Sequence, residues 1–131
     1  MLTKAEYDSI TSKIIGAAIE VHKELGPGLM ESVYEVCLQK VLIEKGLSVK
    51  RQFQLPVIFH GEILNKDFYI DMLVEDEIIV ELKSIDGLLP IHEAQLLTYL
   101  KLSGKQVGLL INFNVILLKD GIKRKVIGNL V

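Results

Sequence analysis

The sequence predicts an α/β domain in which helices flank a mixed β-sheet, because two different hydrophobic periods follow one another along the chain. Apolar residues recur at helical spacing up to about residue 45, whereas from Ser48 onward they tend to alternate with a period of two. A third helical stretch then precedes Val107 to Phe113, which is apolar on both faces, as a buried central strand would be. The predicted order is α-α-β-β-β-α-β-β-β.

Both N-terminal helices have recognisable starts and ends. Thr3 and Glu6 have the spacing of a capping box at the start of the first helix. That helix is expected to end at Gly26-Pro27-Gly28, because glycine and proline do not continue it. The second helix is predicted from about Met30 to Lys45, before Gly46. Two helices therefore precede the sheet.

Three strands are predicted in the middle of the chain. The first carries alternating apolar residues from Val49 to Phe59, and the next two run from Phe68 to Val74 and from Glu77 to Ser84. The short Glu75-Asp76 link is expected to join the last two strands as a hairpin.

The C-terminal part contains the third helix and the remaining strands. Pro90 suits a helix start, and the helix is predicted over His92 to Ser103, followed by a glycine. Beyond the central strand, Val115 to Lys119 and Ile122 to Ile127 flank Asp120-Gly121, a dipeptide typical of a two-residue hairpin.

Length and composition limit the classes of protein to which this chain can belong. With 131 residues, 50% of them hydrophobic and 24% charged, we expect one soluble globular domain spanning residues 1–131. The polar N-terminus does not resemble a secretory signal peptide, and no apolar stretch is long enough for a membrane helix. The single cysteine, Cys37, fits a reducing, cytoplasmic location.

The charges are distributed unevenly, although the formal net charge is only −2. Residues 1–96 contain 9 basic and 16 acidic residues, whereas residues 97–131 contain 6 basic residues and one acidic residue. A basic segment of this kind can follow a nucleic-acid backbone. The alternative is a solvated edge strand protected by lysines. The basic residues concerned are Lys101, Lys105, Lys119, Lys123, Arg124 and Lys125.

The predicted strand that ends at Ser84 carries two charged residues, Glu81 and Lys83, within an apolar run. Residues two apart on a strand share a face, and burying both charges is costly unless they pair or meet a metal. The hairpin would bring Asp71 alongside Glu81. Two converging carboxylates suit Mg²⁺ or Mn²⁺. The alternative is a solvated strand face with a modest ion pair.

Two motifs carry a family resemblance. Asp71 followed by Glu81-Leu82-Lys83 resembles the signature of the PD-(D/E)XK nuclease superfamily. The segment from Gly28 to Tyr34 resembles the hallmark of the GxxExxY proteins, a small group assigned to that superfamily. The resemblance extends over roughly Ile14 to Ile127 and departs at Ile70, where the superfamily name carries proline. It implies a restriction-endonuclease-like core.

The resemblance also implies roles for individual residues. Glu31 matches an upstream acid that projects from a helix toward the metal, and Lys83 would serve the attacking water. The Gln95 and Tyr99 pair, one helical turn apart, resembles a pair that lines the substrate side in the exonuclease-like branch. Tyr34 is a further candidate for substrate binding, although its apolar surroundings also suit the core. The implied ligands of Mg²⁺ or Mn²⁺ are Glu31, Asp71, Glu81 and the Leu82 carbonyl.

The expected function is metal-dependent hydrolysis of phosphodiester bonds in nucleic acid, with DNA as the favoured form and no membrane involved. The chain adds little to the core, so a second copy or an accessory protein would complete a groove. The alternative is a non-catalytic scaffold that binds nucleic acid or protein and retains the fold. The complete residue set favours the enzyme, whereas the acidic N-terminal two thirds favours the scaffold.

Overall fold

The computed structural model describes residues 2–65 and 68–131, apart from the Asn65 side chain. Two helices come first: α1 (Lys4–Leu25) and α2 (Glu31–Glu44). The predicted capping box is present, because the Glu6 backbone N–H donates to Thr3 Oγ1 at 3.2 Å and the Thr3 N–H donates to Glu6 Oε1 at 3.2 Å. The first helix ends as predicted at Gly26, whose φ of 74° is unfavourable for other residues.

The described residues then form seven strands and a third helix, in an order that places the helix between the fifth and sixth strands. The elements are β1 (Val49–Gln54), β2 (Val57–Phe59), β3 (Glu62–Asn65), β4 (Tyr69–Val74), β5 (Ile78–Lys83), α3 (Pro90–Ser103), β6 (Val107–Asn112) and β7 (Ile122–Val126).

Five strands form a mixed sheet in the order β1-β4-β5-β6-β7, while β2 and β3 form a separate hairpin. The β5 and β6 strands are parallel, and the other neighbours in the large sheet are antiparallel. A parallel pair needs a crossover connection, which α3 provides. The predicted α/β class is confirmed, as is the order of the helices among the sheet strands.

The helices cover both faces of this sheet. Apolar residues of α1 and α2 pack against Ile78, Val80 and Leu82 of β5, whereas Ile79 packs with residues of α3. Because side chains alternate along a strand, Glu81 and Lys83 fall on the same side of β5 as Ile79. The motif residues therefore face the α3 side of the sheet.

The region predicted as one strand from Val49 to Phe59 is divided in the structure. The β1 strand ends at Gln54, and Pro56, which has no backbone N–H to donate, separates it from β2. The His60-Gly61 turn, with φ values of 49° and 79°, then connects β2 to β3. At the base of this hairpin, the Leu55 backbone N–H donates to the Phe68 carbonyl at 2.8 Å.

The segment from Val115 to Lys119 is not a strand, so the hairpin predicted at Asp120-Gly121 is not formed. Bends lead into a 3₁₀ turn at Leu118–Gly121, and the Asp120 N–H donates to the Leu117 carbonyl at 3.0 Å. Gly121 lies against the Asn112 carbonyl so closely that a Cβ atom would approach the oxygen to 2.2 Å. This approach lets β7 begin at the next residue and pair with β6.

None of the helices in the described part of the chain has the length and apolar character to cross a bilayer.

Candidate functional site

The site lies where β4 and β5 separate. Regular pairing joins Val74 to Ile78, Leu73 to Ile79 and Met72 to Val80, and it extends no further. At the next position, the Asp71 backbone N–H donates to Glu81 Oε2 at 2.7 Å. The Leu82 N–H donates to Asp71 Oδ2 at 2.8 Å. The structure thus brings Asp71 and Glu81 together at the open end of the hairpin.

The Glu81 carboxyl group is in an environment that disfavours its charged form. The residue is only 8% exposed. Burial, together with the negative charge of Asp71, raises the pKa of Glu81 from 4.5 to about 8. The Asp71 N–H and the positive charge of Lys83 act in the opposite direction, but they do not offset the burial. Near neutral pH, this pair of acids therefore binds a proton, and a cation could take its place.

Lys83 is the last residue of β5 and is half-buried. It lies opposite Asn112 of β6, and its ammonium group is close enough to lower the pKa of Glu81. Within residues 2–65 and 68–131, this ammonium group makes no hydrogen bond or ion pair. It is thus available to a water molecule or an anionic substrate at the same face of the strand.

Glu31 is exposed and begins α2, where its Oε1 accepts a 3.2 Å hydrogen bond from the Ser84 backbone N–H. A carboxylate in this first turn also interacts favourably with the helix dipole. In the part of the chain that the structure describes, no three acidic, histidine or cysteine side chains are grouped so as to hold a metal ion. Glu31 therefore lies beside the end of β5 without joining Asp71 and Glu81 in such a group.

Asp71 and Glu81 nevertheless have the chemistry that a divalent cation requires. Mg²⁺ is often held by one or two carboxylates, with waters and substrate phosphates as its other ligands. A cation between these two acids would relieve the repulsion that contributes to the raised pKa of Glu81. Both carboxylates also accept backbone N–H bonds, which fix the orientation of potential ligands. The residues present therefore fit a Mg²⁺ or Mn²⁺ ion.

Tyr34 is fully buried and stacks on Phe113, with their ring centroids 4.3 Å apart. Its hydroxyl donates to the Gly26 carbonyl at 2.6 Å and accepts from the Leu29 N–H at 3.1 Å. These contacts hold the loop that leads into Glu31. In this structure, Tyr34 shapes the site from within the core and presents no surface to a substrate.

Gln95 and Tyr99 lie one turn apart on α3, on the face of the sheet toward which Glu81 is directed. Gln95 is exposed, and Tyr99 is half-buried against Phe68, with ring centroids 5.0 Å apart. Burial raises the pKa of Tyr99, and the negative charges of Glu81 and Asp71 raise it further. Tyr99 therefore lies within electrostatic reach of the two acids.

Asn112 is a site-forming residue that sequence reasoning missed. Only 1% of it is exposed, and its amide forms two hydrogen bonds with the backbone of Ile85. The Ile85 N–H donates to Asn112 Oδ1 at 3.1 Å, and Asn112 Nδ2 donates to the Ile85 carbonyl at 3.0 Å. Phe113, which directly follows β6, donates its N–H to the Lys83 carbonyl at 2.9 Å. These contacts fix the chain as it leaves β5.

Ser84 links that segment to the start of α2. Its backbone N–H binds Glu31, and its hydroxyl donates to the Leu29 carbonyl.

The sequence contained one signal for the contact between Asn112 and Ile85. A buried polar residue requires a partner, and Asn112 interrupts the predicted buried strand.

In a comparison of the sequence with protein families, the family model of the PD-(D/E)XK nuclease superfamily matches residues 8–125. The chain belongs to this superfamily. The match extends from α1 to β7 and includes the open end of the β4 and β5 hairpin. Membership supports a nuclease-like function and an interaction with nucleic acid, and nucleases of this superfamily generally use divalent metals. Searches of curated proteins and of solved structures gave no match.

Proposed function

We propose that the protein hydrolyses phosphodiester bonds in nucleic acid, with Mg²⁺ or Mn²⁺ held between Asp71 and Glu81. The observation that carries this proposal is the exchange of hydrogen bonds at the open end of the hairpin, where two carboxylates meet and one of them is buried. A buried carboxylate beside a second carboxylate is costly without a cation or a shared proton. A binding site for a divalent cation accounts for that cost.

The chain's own groups have distinct proposed roles. When bound, the metal ion would lower the pKa of a water molecule and stabilise charge on the phosphate. Lys83 positions that water and offsets the phosphate charge, because its ammonium group has no partner among the described residues. Tyr99 and Gln95 contact the substrate from α3. Glu31 and the Leu82 carbonyl are proposed as further metal ligands, and Tyr34 as the residue that holds the loop before Glu31.

We further propose that the chain is a GxxExxY-type member of the superfamily. In support, the Gly28 to Tyr34 motif forms the start of α2 and the loop before it, directly beside the end of β5. The free thiol of Cys37 agrees with a cytoplasmic location. Either a second copy or an accessory protein is proposed to extend the substrate groove.

The favoured substrate in this proposal is DNA, bound in part by basic residues near β7. Two of these residues already have acidic partners: Arg124 pairs with Asp8 at 2.8 Å, and Lys125 pairs with Glu93 at 2.6 Å. Lys123 is exposed and lies on the same strand. The basic contribution to phosphate binding is therefore expected to be modest, and the metal site carries more of the affinity.

A non-catalytic scaffold is the second candidate function. It is favoured by the separation of Glu31 from the pair formed by Asp71 and Glu81, since the described residues contain no group of three potential ligands. Under this proposal the fold binds nucleic acid or protein without turnover.

A cleavage assay separates the two candidates. Purified protein is incubated with labelled single- and double-stranded DNA and RNA, in Mg²⁺, Mn²⁺ or EDTA, beside Lys83→Ala. The matched control is Lys13→Ala, which removes an exposed lysine from α1. A nuclease is expected to require metal, to lose cleavage in Lys83→Ala and to retain it in Lys13→Ala, with all variants folded. Equal cleavage by both variants, or cleavage in EDTA, would contradict the proposed mechanism.

A further inference from the structure

An open hollow lies between the start of α2 and the end of β5, with a volume of about 570 Å³. Ser84, which directly follows Lys83, forms part of its wall. The hollow therefore adjoins the proposed catalytic lysine along the chain. Its lining residues are Gly28, Leu29, Met30, Glu31, Ser32, Ser84 and Asn114.

The wall of this hollow is held in place by hydrogen bonds to the core. The Tyr34 hydroxyl binds the Leu29 N–H, and Ser84 binds the Leu29 carbonyl. Asn114 Nδ2 donates to the Ile85 carbonyl at 3.2 Å, and the Asn112 amide binds the same residue. The hollow is thus largely formed before any ligand enters, which lowers the entropic cost of binding.

The lining has the chemistry for a neutral ligand with an apolar face and polar edges. Met30 is 74% exposed and Leu29 is 38% exposed, so both offer apolar surface. Within the described chain, the Ser32 hydroxyl and Asn114 Oδ1 have no hydrogen-bond partner. Glu31 is the only charged residue of the lining, which contains no lysine or arginine. Free phosphate is therefore disfavoured here.

We propose that this hollow binds the nucleobase next to the scissile phosphate. The inference rests on the proposed nuclease function, which places that phosphate at the metal site beside Lys83. The base would lie against Met30 and Leu29, and Ser32 and Asn114 would bind its polar edge. Such contacts require a base that is neither stacked on its neighbours nor paired with another strand, so the substrate is single-stranded at this nucleotide.

The experiment is an NMR titration of ¹⁵N-labelled protein in EDTA with each of the four common ribonucleosides, and with ribose 5-phosphate. Nucleosides are expected to shift the amides of residues 28–32, 84 and 114, whereas ribose 5-phosphate leaves them unchanged. A Met30→Ala, Ser32→Ala double variant is expected to bind nucleosides about tenfold more weakly. The matched control, Ser9→Ala with Ile43→Ala, changes two exposed residues elsewhere on α1 and α2.

Equal binding by the two double variants, or shifts confined to other residues, would overturn the inference. An equal response to ribose 5-phosphate would overturn it as well, because the sugar phosphate and not the base would then be the ligand. Cleavage assays with the same variants separate this result from failure of the proposed function. If Met30→Ala, Ser32→Ala retains metal-dependent cleavage with an unchanged KM, the proposed nuclease function stands and the proposed base site is contradicted. If the unmodified protein neither cleaves nucleic acid nor binds nucleosides, both proposals are contradicted.

Discussion

The backbone N–H of Asp71 donates a 2.7 Å hydrogen bond to Oε2 of Glu81, and the Asp71 carboxylate accepts one of 2.8 Å from the N–H of the following residue, Leu82. Each side chain thus supplies an acceptor at the position where regular pairing of the two strands ends. The strands can separate without leaving these two N–H groups unpaired. The two acids consequently support the sheet and form the proposed metal site.

Replacing both acids by their amides is expected to abolish metal binding while preserving the fold. In Asp71→Asn, Glu81→Gln, each side chain keeps a carbonyl oxygen that can accept the same N–H bond, but both negative charges are lost. Calorimetric titration with Mn²⁺ measures the change. Glu62→Gln, which alters an exposed acid on β3, should bind like the unmodified protein. Equal Mn²⁺ affinity in the double variant would contradict the assignment.

Stability of the metal-free protein is expected to fall as the pH rises through the range between 4.5 and about 8, because of Glu81. Its folded-state pKa lies above the ordinary value, so the folded state binds more protons than the unfolded chain in that interval, and deprotonation favours unfolding. The stabilising contribution of Glu81 is fully present below pH 4.5 and is lost by about pH 8. Its size is on the order of a few kcal/mol.

Urea denaturation in EDTA at several pH values tests this dependence, with Glu81→Gln as the comparison. Acids remote from residue 81 contribute equally in both proteins, so the difference between their free energies of unfolding reports on Glu81 together with its interaction with Asp71. The difference should move in favour of Glu81→Gln as the pH rises. A constant difference across the range would show that Glu81 does not titrate as inferred.

Asn112→Ala is expected to lower the free energy of unfolding by ~1–3 kcal/mol, because it leaves the Ile85 N–H without its acceptor and removes the Asn112 donor from the Ile85 carbonyl. Asn114→Ala should cost less, since Asn114 is only half-buried and donates a single 3.2 Å bond to the same carbonyl. Urea denaturation measures both costs, and amide exchange at Ile85 shows whether the loop has loosened. A larger loss in Asn114→Ala would reverse the assigned importance of the two residues.

Two glycine substitutions are expected to have opposite effects. In Gly121→Ala, the new Cβ would approach the Asn112 carbonyl oxygen to 2.2 Å, so the backbone must shift and the protein is destabilised by at least ~2 kcal/mol. Gly16 lies on the exposed side of α1 with nothing within 4 Å of such an atom. Gly16→Ala should stabilise by ~0.5–1 kcal/mol. Thermal unfolding distinguishes these results, and equal melting temperatures would contradict the packing described around Gly121.

Features encoded by neighbouring residues could be predicted from the sequence. The Thr3 and Glu6 capping box depends on a spacing of three residues, and the approach of Asp71 to Glu81 depends on a short hairpin link. In both cases the sequence separation is small enough for the local pattern to determine the contact. The family resemblance supplied Glu31, but its contact with Ser84 joins residues 53 positions apart.

Features that depend on distant packing could not be predicted in this way. The contact of Asn112 with Ile85 joins residues 27 positions apart and exists only because α3 returns the chain to a parallel strand. The strand expected at Val115 to Lys119 has suitable residues, yet the close approach of Gly121 to Asn112 imposes a 3₁₀ turn. Tyr34 could face either a substrate or the core by periodicity alone, and its stacking on Phe113 places it in the core.

The separation of β2 and β3 from the large sheet has a consequence for protein engineering. Among the residues that the structure describes, this hairpin pairs with no strand of the five-stranded sheet, and its turn at His60 and Gly61 is exposed. Because the entropy of closing a loop grows slowly with its length, such a turn tolerates inserted residues. A short epitope or a fluorophore-binding peptide placed between His60 and Gly61 would therefore report on the folded protein while leaving the register of β1 with β4 unchanged.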